Sequence, residues 1–253
     1  MLPGASATSI LINSRPLLLG HRGARRTAPE NTLAAFDLAL THQCDGFEFD
    51  VRSTADQRTV LCHDPTFAGL TVAEAGYSAI LEKCRLNSPG GKTDCEVMPC
   101  LEDVIARYAG RAYLDIELKV SGLEEKVVAL VRALAAHTYV VSSFAPEVLQ
   151  VIHSLEPSIS LGLICDRQPV LELWQEIPCA VVIPERALAS QPLIDAIHAG
   201  GKKVFVWTVN QEEEMLRLAK AGVDAIISDD TELLGRTFPH ARPGRTGQGP
   251  SAR

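Results

Sequence analysis

No run of ~18 uninterrupted apolar residues, the length a helix needs to cross a bilayer, occurs in the sequence, so no integral membrane segment is expected. Nor is there a basic run. Lys and Arg number 24 against 31 Asp and Glu, for a formal net charge of −7. An acidic chain without a cationic stripe does not gather phosphate backbones or anionic lipid, so neither nucleic acid nor a charged membrane surface is an expected partner. No Lys or Arg precedes Arg15, and Arg15-Pro16 interrupts the short apolar stretch there, unlike a secretory signal. No CxxC is present. The seven cysteines, at 44, 62, 84, 95, 100, 165 and 179, are odd in number and cannot all pair within the chain. Cys95 and Cys100 have no histidine spacing nearby that completes a zinc pattern. Reduced thiols in a cytoplasmic protein are the expectation.

What is present suits a folded enzyme-sized domain. Apolar residues make up 46% and charged residues 22% of 253 residues, enough for a sizeable core. Short apolar or β-branched runs alternate with helical periodicity. Strands are expected at 16–20, 46–53, 113–120, 139–144, 159–165, 180–183, 203–209 and 225–228. Amphipathic helices are expected at 31–42, 101–108, 123–136, 146–155, 170–176, 191–199 and 211–221. Gly110, Gly200, Gly201 and Gly222 fall where left-handed caps are wanted. Alternating strand and helix implies parallel pairing with right-handed crossovers, and eight such units imply an α/β (β/α)8 TIM barrel. An open doubly wound sheet is the alternative. It is weakened by the lack of a GxGxxG after the first strand.

One stretch breaks the alternation. A strand-like Thr59–Cys62 leads to His63-Asp64-Pro65 and then to ~30 residues without strong periodicity, including the turn signal Ser88-Pro89-Gly90-Gly91. It reads as an insertion, about 66–98, between strand 2 and its helix, on the rim where barrel sites form. Residues 1–238 are thus expected to make one barrel domain. The Gly-, Pro- and Arg-rich tail 239–253 is expected to be disordered.

The chemistry sits at strand ends. Glu48 and Asp50 are two apart in a strand and leave one face, while Phe47, Phe49 and Val51 leave the other. In a barrel the aromatic face meets the helices, so the carboxylates point inward. Asp115, Glu117 and Lys119 repeat this geometry on the third strand. Three inward carboxylates form a hard-oxygen site suited to one divalent cation, Mg2+ or Ca2+; a buried ion pair without metal is the alternative. His21-Arg22-Gly23 follows the first strand and His63 the strand-like 59–62. Two imidazoles can take and give protons, and Arg offers a fork to phosphate. Together these groups can cleave a phosphodiester.

The ordered motifs His21-Arg22-Gly23, Pro29-Glu30-Asn31-Thr32, Glu48-Phe49-Asp50, His63-Asp64, Glu117-Leu118-Lys119, Ser143-Phe144, Trp207-Thr208-Val209-Asn210 and Gly222 through Asp229 closely resemble the glycerophosphodiester phosphodiesterase family over residues 17–235. The resemblance implies a TIM barrel with a characteristic insertion. It implies metal ligands at Glu48, Asp50 and Glu117, and acid–base histidines at His21 and His63. It places phosphate contacts at Arg22 and Lys119 and a substrate-pocket aromatic at Trp207. The implied substrate is a small glycerophosphodiester, hydrolysed to sn-glycerol 3-phosphate and an alcohol by a monomer or homodimer.

Blander roles are expected for other motif residues. Asn31 is read as a helix cap, Asp64 as the partner that orients His63, and Ser143 as a common strand-end residue. His42, His137, His153, His198 and His240 have no motif context. Three rivals differ in chemistry. A lysophospholipase D activity would need an apolar groove, to which Phe67, Leu70 and Tyr77 could contribute. A lyase would use Lys119 as a Schiff-base nucleophile. A non-catalytic phosphodiester-binding barrel would not need two histidines.

Overall fold

The computed structural model describes residues 15–87 and 98–239. The turn at Ser88–Gly91, Cys95, His240 and the tail from residue 240 lie outside the described residues. Eight parallel strands close on themselves: β1 Leu17–His21, β2 Gly46–Ser53, β3 Tyr113–Leu118, β4 Tyr139–Ser143, β5 Leu161–Cys165, β6 Val181–Pro184, β7 Lys203–Val206 and β8 Ala225–Ser228. Neighbours in sequence are neighbours in the sheet, and β1 pairs with both β2 and β8. A helix follows each strand: α1 Leu33–Thr41, α2 Leu101–Tyr108, α3 Glu124–Val131, α4 Pro146–Leu155, α5 Gln168–Leu171, α6 Gln191–Ala199, α7 Glu212–Ala221 and α8 Thr231–Thr237. The architecture is the (β/α)8 barrel expected from the alternation.

Packing divides into two layers, as the two-residue period of the strands requires. Phe47, Phe49 and Val51 of β2 face outward to α1 and α2. There Phe36 stacks on Phe47 with ring centroids 4.1 Å apart, and Tyr108 meets Phe47 edge-on at 5.0 Å. Inside the barrel, Leu19, Val140, Ile164, Val181, Ile183, Phe205, Ala225 and Ile227 fill the space contributed by β1 and β4–β8. On β2 and β3 the matching inward positions are acidic. The barrel interior is therefore apolar on one side and anionic on the other.

The described part of the insertion carries regular structure that its sequence pattern does not mark. Thr59–Leu61 pairs antiparallel with the end of β2, Thr66–Phe67 and Leu70–Thr71 form a small hairpin, and a helix spans Tyr77–Asn87. These bury a separate cluster of Val60, Cys62, Val72, Ile80, Leu81, Cys84, Met98 and Cys100. Leu70 and Tyr77 pack against that cluster and take no part in a groove at the barrel mouth. Thr32, not Asn31, caps α1, by accepting from the Ala35 N–H at 3.2 Å. Gly110, Gly201 and Gly222 adopt positive φ, but Gly200 does not, at −77°; the left-handed turn after α6 is made by Gly201. Among the described residues no helix is long and apolar enough to cross a membrane.

Phe47 is fully buried between Phe36 and Tyr108. Phe47→Ala should lower stability by about 3–5 kcal/mol in urea melts. A loss below about 1 kcal/mol would show that the outer aromatic layer does not hold β2 in place.

Candidate active site

The C-terminal ends of the strands open on a small chamber of about 90 Å3. One wall is polar, made by His21, Arg22, Glu48, His63, Asp115, Glu117 and Lys119. The other is Phe144, Ile164, Ile183, Trp207 and Ile227. All eight residues singled out from sequence are present here or, for Asp50, directly behind: Asp50 is fully buried and ion-paired with Lys119 at 3.2 Å and Arg22 at 3.1 Å.

Strand register sets the carboxylates. On the paired strands Glu48 lies opposite Asp115 and Asp50 opposite Glu117. Ligand oxygens of Glu48, Asp50 and Glu117 lie within 4.8 Å of one another, close enough for one ion. Burial and the neighbouring carboxylates push Glu48 well above the usual range, and burial and Asp50 push Glu117 up to about 7. Burial also raises Asp115 to about 7, against the opposing hydrogen bond from Ser142. Burial would raise Asp50 too, but Lys119 and Arg22 outweigh it and hold its carboxyl below the usual value. Lys119 Nζ sits 2.6 Å from Glu117 Oε1 and forms an ion pair with it. Glu48 Oε1 and Asp50 Oδ1 lack hydrogen-bond partners. Buried carboxylates converging from two strands, with unpartnered oxygens among them, fit a hard divalent cation.

Each histidine is held by a carboxylate. His21 Nδ1 lies 2.7 Å from Asp229 Oδ1, and His63 Nδ1 lies 2.7 Å from Asp64 Oδ1. With each Nδ1 engaged, Nε2 is left for proton transfer; on His21 it lies 3.9 Å from Glu48 Oε2. Burial holds His21 below the ordinary histidine value, against the opposing pull of Asp229. Asp229 would be raised by burial, but the His21 and Asn210 hydrogen bonds and Arg25 pull it down to about 2. Asn210 Nδ2 donates to Asp229 Oδ2 at 2.8 Å, and the Asp229 N–H donates back to Asn210 Oδ1 at 2.9 Å. Arg52 donates to the His63 carbonyl through Nη2, at 2.6 Å, and Nε, at 2.9 Å.

The cationic groups are fixed as firmly. Arg22 follows β1 in the left-handed region, at φ 57°, strain that a non-glycine residue bears only when its surroundings impose it. Its N–H donates to Glu48 Oε2 at 2.9 Å, and its Nη1 donates to Glu30 Oε1 at 3.0 Å. Burial tends to lower both Arg22 and Lys119, but the adjacent carboxylates prevail and both are raised, so both stay charged. A lysine raised in this way is a poor Schiff-base nucleophile. Trp207 lies just past β7, where its Nε1 donates to the Ile183 carbonyl at 3.0 Å and its ring meets Phe144 edge-on at 5.5 Å.

Sequence reasoning missed several supports. Asn31 Nδ2 donates to Asp50 Oδ2 at 2.8 Å, and the Asp50 N–H donates to Asn31 Oδ1 at 3.1 Å, so Asn31 braces Asp50. Asp229 and Asn210 were visible only as motif letters. Ser143 Oγ donates to the Leu118 carbonyl at 2.8 Å, a structural bond. His42 and His198 bond to Thr231 and Asp224, away from the chamber.

Comparison with known proteins follows this geometry. Residues 21–233 match the model of the glycerophosphoryl diester phosphodiesterase family. A glycerophosphodiester phosphodiesterase of Caldanaerobacter subterraneus subsp. tengcongensis is 31% identical over 243 residues, covering 87% of this chain and 96% of that protein. One of Bacillus altitudinis is 31% identical over 230 residues, covering 84% and 94%. Among solved structures, a glycerophosphodiester phosphodiesterase of Agrobacterium tumefaciens superposes with a TM-score of 0.75 at 28% identity, covering 87% of this chain and 99% of that one. A phosphodiesterase of Oleispira antarctica, in complex with the product sn-glycerol-3-phosphate, gives 0.74 at 25% identity, covering 88% and 96%.

The Asp229–His21 pair carries a testable sign. A folded value near 2, below the ordinary 3.8, means its stabilisation is present above pH ~4 and is lost as pH falls toward 2. Between pH 5 and pH 3, D229N should lose about 1 kcal/mol less stability than the wild type in urea melts. Equal losses would show that the pair does not form.

Proposed function

We propose, from the premise that the chain belongs to the glycerophosphoryl diester phosphodiesterase family, that the chamber hydrolyses glycerophosphodiesters to sn-glycerol 3-phosphate and an alcohol. The protein is a phosphoric diester hydrolase. The observation that carries the reading is the pair of carboxylate-held histidines bordering the same chamber as Arg22 and Lys119.

Arg22 and Lys119 hold the phosphate and offset the charge that develops on it. His21 lies below the ordinary histidine value, so it is neutral at pH 7 and takes the proton of the nucleophile. His63, half-buried at the chamber edge, gives a proton to the leaving alkoxide. Asp229 and Asp64 keep both rings turned and stabilise each imidazolium when it forms. Glu48, Asp50 and Glu117 would hold one divalent cation, Mg2+ or Ca2+. When bound, that cation supplies Lewis-acid polarisation of a phosphoryl oxygen. The nucleophile is either water or the neighbouring glycerol hydroxyl. A diester without a vicinal hydroxyl distinguishes them, because only direct attack by water turns it over.

The apolar wall of Phe144, Ile164, Ile183, Trp207 and Ile227 favours a second substrate class, lysolipids carrying an acyl chain. The six described cysteines are all unpaired and buried, and burial raises Cys44 and Cys165 to about 12. That supports a reducing, cytoplasmic setting.

The test is release of sn-glycerol 3-phosphate from glycerophosphocholine and glycerophosphoethanolamine, first with chelator and then with Mg2+ or Ca2+. Release is expected only with cation, and His21→Ala should lower kcat by ~10²–10⁴. Near-normal turnover by that variant would refute the assignment. No release from either substrate, with release of choline from lysophosphatidylcholine, would favour the lysolipid class.

A further inference from the structure

Resting on the cation reading above, the geometry points to Asp115 as a positioning residue of the cation site, a fourth carboxylate beneath Glu48, Asp50 and Glu117. Strand register makes these four a two-by-two block, with Asp115 opposite Glu48 and one inward position below Glu117. Every member of the block has one oxygen without a hydrogen-bond partner: Glu48 Oε1, Asp50 Oδ1, Asp115 Oδ2 and Glu117 Oε1. Asp115 is 1% exposed and lines the chamber. Its other oxygen accepts from Ser142 Oγ at 2.6 Å, which fixes the carboxylate in place.

Asp115, like Glu48, makes no ion pair with Arg22 or Lys119. Lys119 pairs with Glu117 and Asp50, and Arg22 pairs with Asp50 and Glu30. Among the described residues no ion pair reaches Asp115. A buried carboxylate without a countercharge is costly to retain unless something else neutralises it. With all four carboxylates ionised, Arg22 and Lys119 leave a formal charge of about −2, which one divalent cation balances. The three ligand oxygens that lie within 4.8 Å of one another do not include one from Asp115. Its part is therefore to add negative charge beneath the ion.

Calorimetric titration of the full chain with Mg2+ alone and Ca2+ alone tests this. Asp115→Asn keeps the shape of the side chain and an acceptor for Ser142 while removing the charge. One cation is expected to bind the wild type, and D115N should bind it ~10–100-fold more weakly. Equal affinity in a D115N protein whose far-UV circular dichroism matches the wild type would overturn the role. If D115N does not fold, Ser142→Ala releases Asp115 from its one hydrogen bond and should weaken binding several-fold; unchanged affinity there would overturn the role instead. A wild type that binds neither cation would overturn the cation reading and the role together. Wild-type binding with unchanged variants would overturn only the role.

Discussion

Four carboxylates packed into the mouth of a closed barrel are the feature on which the rest of the site depends. Taken out of water, such a group of anions is stable only if cations or protons neutralise it. Arg22 and Lys119 meet part of that demand, and both are held charged by the acids they neutralise. What remains shows in acids raised to about 7 and in the unpartnered Glu48 Oε1 and Asp115 Oδ2. On the proposed reading, a chamber arranged this way takes a divalent cation and holds a phosphate with the two fixed positive groups. Those are the needs of a phosphodiester cleavage, in which charge is offset while one proton is taken and another given.

The barrel supplies the rigidity for this. Parallel pairing of β2 with β3 sets the carboxylates opposite one another, and the Phe36–Phe47–Tyr108 layer locks β2 from outside. The split between an apolar side from β1 and β4–β8 and an anionic side from β2 and β3 follows from one residue choice at each inward position. The strained backbone at Arg22 has the same origin. With φ at 57°, its amide reaches Glu48 while its side chain reaches Asp50 and Glu30.

Much of this was legible in the sequence. A spacing of two in a strand puts Glu48 with Asp50, and Glu117 with Lys119, on one face whatever the fold. The alternation of elements makes that face the inner one. What lay beyond reach depended on distance along the chain. Asp229 is 208 residues from His21, and only barrel closure through β1 and β8 joins them. Asn31 was read as a cap because its position before α1 suits one, but the actual cap is Thr32, and the left-handed φ of 57° at Asn31 turns its side chain to Asp50. The helix Tyr77–Asn87 is not marked by sequence periodicity because it covers only the small insertion cluster, so its apolar stripe is narrow.

The most direct measurement is a crystal structure of the protein soaked with Mn2+ and sn-glycerol 3-phosphate, with anomalous data collected at the manganese edge. The account requires a single strong anomalous peak among the oxygens of Glu48, Asp50 and Glu117, with the phosphate against Arg22 and Lys119. A chamber without a metal peak, or a phosphate bound elsewhere, would contradict it.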